Sequence, residues 1–153
     1  METLHPILRE HPFLRGLAKR HLEFLTGCAS NVRFDAGEFL FREGDEANAS
    51  YLVRAGRIAL EIDVPGRGSN QIQTIEAGQV LGWSWLYPPY KWQFDARAVE
   101  PVRAIKLNGE CLRLKCEADH DLGYELVKRF LYQVHQRLER TRFQLLDVYA
   151  KHP

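Results

Sequence analysis

Cysteine is scarce in this chain of 153 residues, with only Cys28, Cys111 and Cys116. An odd number at irregular spacing fits buried reduced thiols better than a disulfide framework. Charge of one sign is not in excess either: 21 Lys plus Arg face 20 Asp plus Glu, a net charge of +1. That balance argues against a broad polyanion-binding surface, which needs a visible surplus of cations. No run of about 20 apolar residues exists, so no membrane span is expected. The longest uncharged stretch, Ala77 to Tyr90, is interrupted by Pro88-Pro89. The N-terminus, METLHPILREHPF, has neither a basic n-region nor a continuous apolar h-region, so no secretory signal and a cytoplasmic location are expected. Asn48-Ala49-Ser50, a formal glycosylation sequon, then reads as a turn. Catalytic signatures are absent too: there is no Gly-x-Ser-x-Gly, His-Glu-x-x-His or phosphate-binding Gly-rich loop, so the chain is not expected to be an enzyme. Cys111, Cys116 and His120 follow a C-x4-C-x3-H spacing outside the common zinc patterns, and no metal site is expected.

What is present describes a globular chain. Apolar residues make up 45% and aromatics 11%, and a chain of this length buries about 68–70% of its unfolded surface without a staple. No repeat, low-complexity tract or linker divides it, so residues 1–153 read as one domain in three segments. In the first, 1–30, Leu14, Leu17, Ala18, His21, Leu22 and Leu25 recur at helical spacing, with Gly27 as a stop. His11-Pro12 separates that helix from a shorter one around Pro6 to Glu10. In the second, 31–110, short runs (Glu38 to Arg42, Ser50 to Val53, Arg57 to Val64, Phe94 to Ala98) alternate with glycine turns, the pattern of an antiparallel barrel or jelly roll. The third, 117–150, reads as helical, with a helix over about Asp119 to Tyr149 roughly 45 Å long at 1.5 Å per residue. Its Val127, Leu131, Val134, Leu138, Thr141, Leu145 and Val148 follow steps of four and three, the seam of a knobs-into-holes pair. Leu126, Phe130 and Leu146 form a second strip. One strip is expected to meet the barrel and the other a partner, most simply a parallel homodimer, with a monomer or another protein partner as alternatives. Lys128, Arg129, Arg137, Arg140 and Arg142 read as a solvated face.

The strand segment also carries a specific order of residues. Phe34-Asp35-Ala36-Gly37-Glu38-Phe39-Leu40-Phe41-Arg42-Glu43-Gly44-Asp45, then Tyr51-Leu52-Val53-Arg54-Ala55-Gly56-Arg57-Ile58, then Ala77-Gly78-Gln79-Val80-Leu81-Gly82, resembles the cyclic-nucleotide-binding fold. It is most similar to the effector domain of the catabolite activator and fumarate-nitrate regulator family. The resemblance implies a mainly β fold with flanking helices: leading helices, an eight-stranded antiparallel jelly roll and a long C-terminal dimerisation helix. It also implies a phosphate-binding cassette after Gly82. There a helix N-terminus holds the cyclic phosphate, a Glu after the Gly takes the ribose hydroxyl, and a later Arg pairs with the phosphate.

Here Trp83 stands at the Glu position. Anchoring on Ala98-Val99-Glu100-Pro101 places Trp92 at the Arg position, with Gln93 after it. Both charged contacts are missing, so ordinary cyclic AMP binding is not expected. On a straight strand Arg97 alternates to the opposite face from Trp92, and Lys91 offers a point charge instead of a fork. Trp83, Trp85 and Trp92, with Tyr87 and Tyr90, fill the nucleotide's space, line a pocket for a different small molecule, or form a patch that docks a protein. The candidate ligand-binding residues are Gly82, Trp83, Ser84, Trp85, Trp92, Gln93 and Thr141. By resemblance Thr141 is a contact from across the dimer, or else a polar residue that sets helix register. An iron-sulfur cluster like that of some relatives needs more cysteines. No cofactor is expected beyond a small-molecule effector. Transcriptional members continue into a helix-turn-helix domain, whereas this chain stops four residues after Tyr149, so direct DNA binding is not expected. A regulatory ligand-sensing module and a non-sensing interaction scaffold both fit these residues.

Overall fold

Between residues 29 and 108, alternating apolar residues and left-handed glycine turns produce eight strands: β1 (Ala29–Phe34), β2 (Phe39–Phe41), β3 (Ala49–Ala55), β4 (Arg57–Val64), β5 (Gly68–Glu76), β6 (Val80–Leu81), β7 (Asp95–Ala98) and β8 (Val102–Asn108). In this computed structural model, which describes residues 4–151, they form two four-stranded antiparallel sheets ordered β1-β8-β3-β6 and β2-β7-β4-β5. Residues 1–3 and 152–153, the ends of the expected 1–153 span, lie outside the described residues. Helices flank the strands: α1 (His5–Glu10), α2 (Lys19–Thr26), α3 (Gly109–Ala118) and α4 (His120–Lys151).

In the sheet β1-β8-β3-β6, strand β3 is covered on both faces, Leu52 by one core and Ala49, Tyr51 and Val53 by the other, which is why residues 49–53 are buried without alternation. One core lies between the sheets, with Phe41, Tyr51, Val53, Ile58, Leu60 and Trp92. The other lies between this sheet and the helices, with Leu14, Leu25, Leu52, Ile105, Trp85 and Phe130. The leading half of α4 supplies Leu122, Leu126 and Phe130 to the second core, and its positions 141–150 are all exposed.

Three expectations need correction. The run from Leu14 to Leu25 is not one helix. Pro12–Leu14 is a 3-10 turn, Gly16 takes φ 84°, and α2 begins only at Lys19. A left-handed residue cannot continue an α-helix, and that outweighs the apolar periodicity. Second, a separate helix, α3, precedes the long one: it takes residues 109–110 from the expected jelly roll and 117–118 from the expected C-terminal helix, and fills the unassigned stretch between them. Asn108 caps α3 by accepting the Cys111 N–H at 2.8 Å, and the chain breaks at Asp119, whose carboxylate accepts from the Asp121 and Leu122 N–H groups. Third, Cys28 and Cys111 are not reduced thiols but a disulfide, with Cα atoms 5.6 Å apart. Antiparallel pairing sets Ala29 opposite Leu107, and the Asn108 N–H donates to the Cys28 carbonyl at 2.9 Å, so both cysteines emerge at one end of the β1-β8 pair. Cys116 alone is free, its thiol pushed up to about 11 by burial and, to a lesser degree, by Glu117 and Asp119.

The N-terminal elements are held to β3 by a buried histidine. His11 Nε2 lies 2.9 Å from the Val53 carbonyl and Nδ1 accepts the Phe13 N–H at 3.2 Å, which fixes a neutral ring with its proton on Nε2. Burial lowers the pKa of this ring; the Val53 hydrogen bond opposes the shift and Arg54 adds to it. With the folded pKa below the unfolded value of 6.5, the unfolded chain takes up the proton first. Stability is therefore expected to be level above neutrality and to fall as pH drops below that value. Urea denaturation at several pH values checks this, and His11→Gln should flatten that limb relative to wild type.

Candidate functional site

The cassette leaves the edge strand β6 through Gly82, at φ 99°. A side chain there is excluded twice, by that conformation and because a Cβ would lie 2.7 Å from Trp92 Cη2 and 3.0 Å from the Ala49 carbonyl. The Gly82 carbonyl accepts from Ser50 Oγ at 2.8 Å and from Trp85 Nε1 at 3.2 Å, so the turn is tied to β3 and to the first turn of the cassette.

The three tryptophans are close in sequence but occupy three environments. Trp85 is fully buried in the helix-side core, edge-on to Phe130 at 5.7 Å between ring centroids. Trp92 is 2% exposed between the sheets, stacked on Phe41 at 3.6 Å and 6°. Trp83 lies on the α4 side, where the Arg137 guanidinium sits 4.2 Å above its ring. The indole expected to replace a charged phosphate contact is thus part of the inter-sheet core.

Arg137, expected on a solvated face, instead packs against the cassette. Half-buried, it donates from Nη2 to the Val80 carbonyl at 3.0 Å, and no ion pair joins it to a carboxylate among the described residues. Burial, and secondarily Arg140, pull its pKa down to about 10, which leaves it cationic at neutral pH. Gln73 Nε2 donates to the Arg137 carbonyl at 3.3 Å and to Thr141 Oγ1 at 3.4 Å, joining β5 to α4. Arg129 also departs from the expected solvated face, since its Nη1 donates at 3.0 Å to the carbonyls of Phe13 and Arg15. Nothing in the residue spacing distinguishes these two arginines from Arg140 or Arg142; long-range contacts do.

The remaining candidates do not converge on one space. Ser84 is buried, whereas Gln93 is exposed and its amide donates to the Lys91 carbonyl at 3.1 Å. Arg97 lies on the face of β7 opposite the inward-pointing Ala96 and Ala98, and its guanidinium forms a two-point pair with Glu61 at 2.9 and 3.1 Å. Arg113 of α3 holds the loop's far end: Nη1 donates to the Trp85 carbonyl at 2.6 Å and the guanidinium covers the Tyr90 ring at 4.5 Å. Tyr90 itself takes φ 55°. Among the described residues no His, Cys, Asp and Glu cluster could hold a metal ion, and no helix is long and apolar enough to cross a membrane.

Two buried-face sheets, a glycine-led cassette between β6 and β7, and a long helix crossing its mouth define a recognisable class. The chain belongs to the cyclic nucleotide-binding domain family, whose model matches residues 31–119. It is similar to the CRP-like cAMP-activated global transcriptional regulator of Mycobacterium tuberculosis, 23% identical over 142 residues, which cover 93% of this chain and 62% of that protein. The fold is also that of a cyclic nucleotide-binding domain from Methylobacillus flagellatus, at TM-score 0.82 and 18% identity, over 96% of this chain and 86% of that one. It is shared with the regulatory subunit of a cAMP-independent protein kinase A from Trypanosoma brucei, at TM-score 0.72 and 20% identity, over 94% of this chain and 50% of that one.

Proposed function

We propose that this chain is a regulatory effector module: a jelly roll that homodimerises through α4 and senses a small molecule other than an ordinary cyclic nucleotide. The observation that carries this reading is Trp92, stacked on Phe41 directly beneath Gly82, where the resemblance calls for a phosphate-binding arginine. A buried indole offers neither the charge nor the fork a cyclic phosphate needs. The effector engages Trp83, Arg137 and Thr141, at the junction of cassette, β5 and α4. Arg137 supports this placement, because a cation taken partly out of water without a carboxylate partner favours an anionic or strongly polar ligand. Val127, Leu131, Val134, Leu138, Leu145 and Val148 support dimerisation, since this heptad seam is solvent-exposed in one chain, Leu131 by 65%. The role is non-catalytic and cytoplasmic. In a dimer, an effector that binds one packing of the paired helices better than another would shift between them.

Titration with cyclic AMP, cyclic GMP and a panel of anionic metabolites tests the proposal, read by thermal stability and tryptophan fluorescence. A ligand at 100 times its dissociation constant stabilises the fold by about 2.7 kcal/mol. A response to a metabolite that is lost in Arg137→Ala is the expected result. Saturable binding of a cyclic nucleotide overturns the reading. Silence across the panel moves the assignment to a scaffold that docks a protein, a reading supported by Tyr87 of the cassette and Leu114 of α3, exposed by 47% and 66%.

A further inference from the structure

The Cys28–Cys111 disulfide joins residues 83 apart in sequence at the point where α2 turns into β1 and α3 begins. Both cysteines belong to the helix-side core that also holds Trp85 of the cassette, and it is α3 that meets the cassette. Its contacts come from Gly109, Leu112 and Arg113. Its first residue, Gly109, is packed so closely that a Cβ would lie 2.8 Å from Trp85 Cβ. Leu112, one position beyond the disulfide, shares the helix-side core with Trp85. Arg113, on the next turn, holds the Trp85 carbonyl at 2.6 Å and the Tyr90 ring at 4.5 Å. Helix α3 is therefore the platform on which residues 85–90 rest, and the disulfide ties that platform to the sheet.

We propose that Cys28 and Cys111 form a reversible thiol–disulfide modification site that sets how firmly α3 holds the cassette loop. The surroundings of the two thiols fit an exchange reaction. Cys111 is partly exposed and sits in the first turn of a ten-residue helix, where the N-terminal dipole favours a thiolate. Lys115 adds a cation one turn further on, its Nζ 3.4 Å from where a Gly27 Cβ would stand. Cys28 is buried at 6% exposure, so a reagent reaches Cys111 first. In the closing direction the Cys111 thiolate attacks one sulfur of a low-molecular-weight disulfide and expels its other half as a thiolate. The Cys28 thiolate then attacks the Cys111 sulfur, expels the second half and closes the bond. Two chain thiols are oxidised, one external disulfide is reduced to two thiols, and the protons pass to the departing thiolates. Opening reverses each step. The Asn108 N–H to Cys28 carbonyl bond is independent of the sulfurs, so it keeps them in register while the bond is open. Cys116 stands apart, its thiol pushed up to about 11 beside Glu117 and Asp119.

The test equilibrates the full chain across mixtures of reduced and oxidised glutathione. Non-reducing peptide mapping reads the bond, and hydrogen exchange reads the amides of residues 84–91. The expected result is a Cys28–Cys111 cross-link that forms and reopens with the glutathione ratio, accompanied by several-fold slower exchange in 84–91 when closed. Cys116→Ala should behave as wild type, and Cys111→Ser should lose the dependence on glutathione. If no cross-link forms in oxidised glutathione, the site does not exist. If the cross-link forms but exchange changes only around residues 26–30 and 108–112, the bond is a local staple and the coupling to the cassette is wrong. Both readouts come from the wild-type chain, so a variant that fails to fold leaves the test intact.

Discussion

Trp92→Ala is expected to destabilise the chain by about 3–5 kcal/mol, the usual cost of truncating a buried tryptophan. The indole stacks on Phe41 and closes the space beneath Gly82, so its removal leaves a void lined by Phe41 and by the aromatic and aliphatic residues of the inter-sheet core. Neighbouring strands are tied by ladder hydrogen bonds and cannot collapse far into such a void. For a chain of this length each kcal/mol lowers the melting temperature by about 2–4 °C, so the midpoint should fall by roughly 10 °C. The same void makes a second readout available: free indole should raise the melting temperature of the variant and leave wild type unchanged. A loss below about 1.5 kcal/mol, or equal indole effects on both proteins, would mean that Trp92 does not fill the barrel, and the argument against a nucleotide there would go with it.

Breaking the Cys28–Cys111 bond is the second large effect. The cross-link removes loop-closure entropy from the unfolded chain, and for a loop of 83 residues the chain-entropy relation gives a contribution of about 4.6 kcal/mol. A Cys28→Ser, Cys111→Ser double variant should therefore unfold at a midpoint roughly 9–18 °C below the oxidised wild type. Reduced wild type should behave like the variant, because the native contacts around both residues survive loss of the bond: the Asn108 N–H still meets the Cys28 carbonyl, and Asn108 still caps α3. Denaturation of the three samples side by side separates the bond from the side chains. Coincident curves for oxidised and reduced wild type would show that the bond contributes nothing to stability.

Much of the fold was legible locally. The strand read from Arg57 to Val64 is β4, and the long helix read from residue 117 begins at His120, because alternation and 3.6-residue periodicity are properties of short segments. Gly82 was legible as the head of the cassette through the order of glycines that carries the resemblance, and its left-handed φ of 99° with the Trp92 ring at contact distance is why only glycine fits there. The break at Gly16 and the separate α3 were not read, although Asn108 three residues before Cys111 is a cap signal that marks the start of α3.

The site divides in the same way. The expectation that Trp83 and Trp92 stand where the resemblance calls for the ribose-binding Glu and the phosphate-binding Arg rests on residue identity alone. Treating the three indoles as one group, whether as filler, pocket lining or patch, is a local inference, and the structure separates them. The cassette passes the edge of a sheet with a core on each side, so Trp85 enters one core and Trp92 the other. Arg137 and Trp83 are brought together only by α4 crossing the cassette, and Cys28 and Cys111 only by the β1-β8 register. Periodicity, turns and residue chemistry act over a few positions and are written in the sequence. Which arginine turns inward, which thiols meet and which ring fills the interior depend on how distant segments pack, and only the tertiary structure decided them.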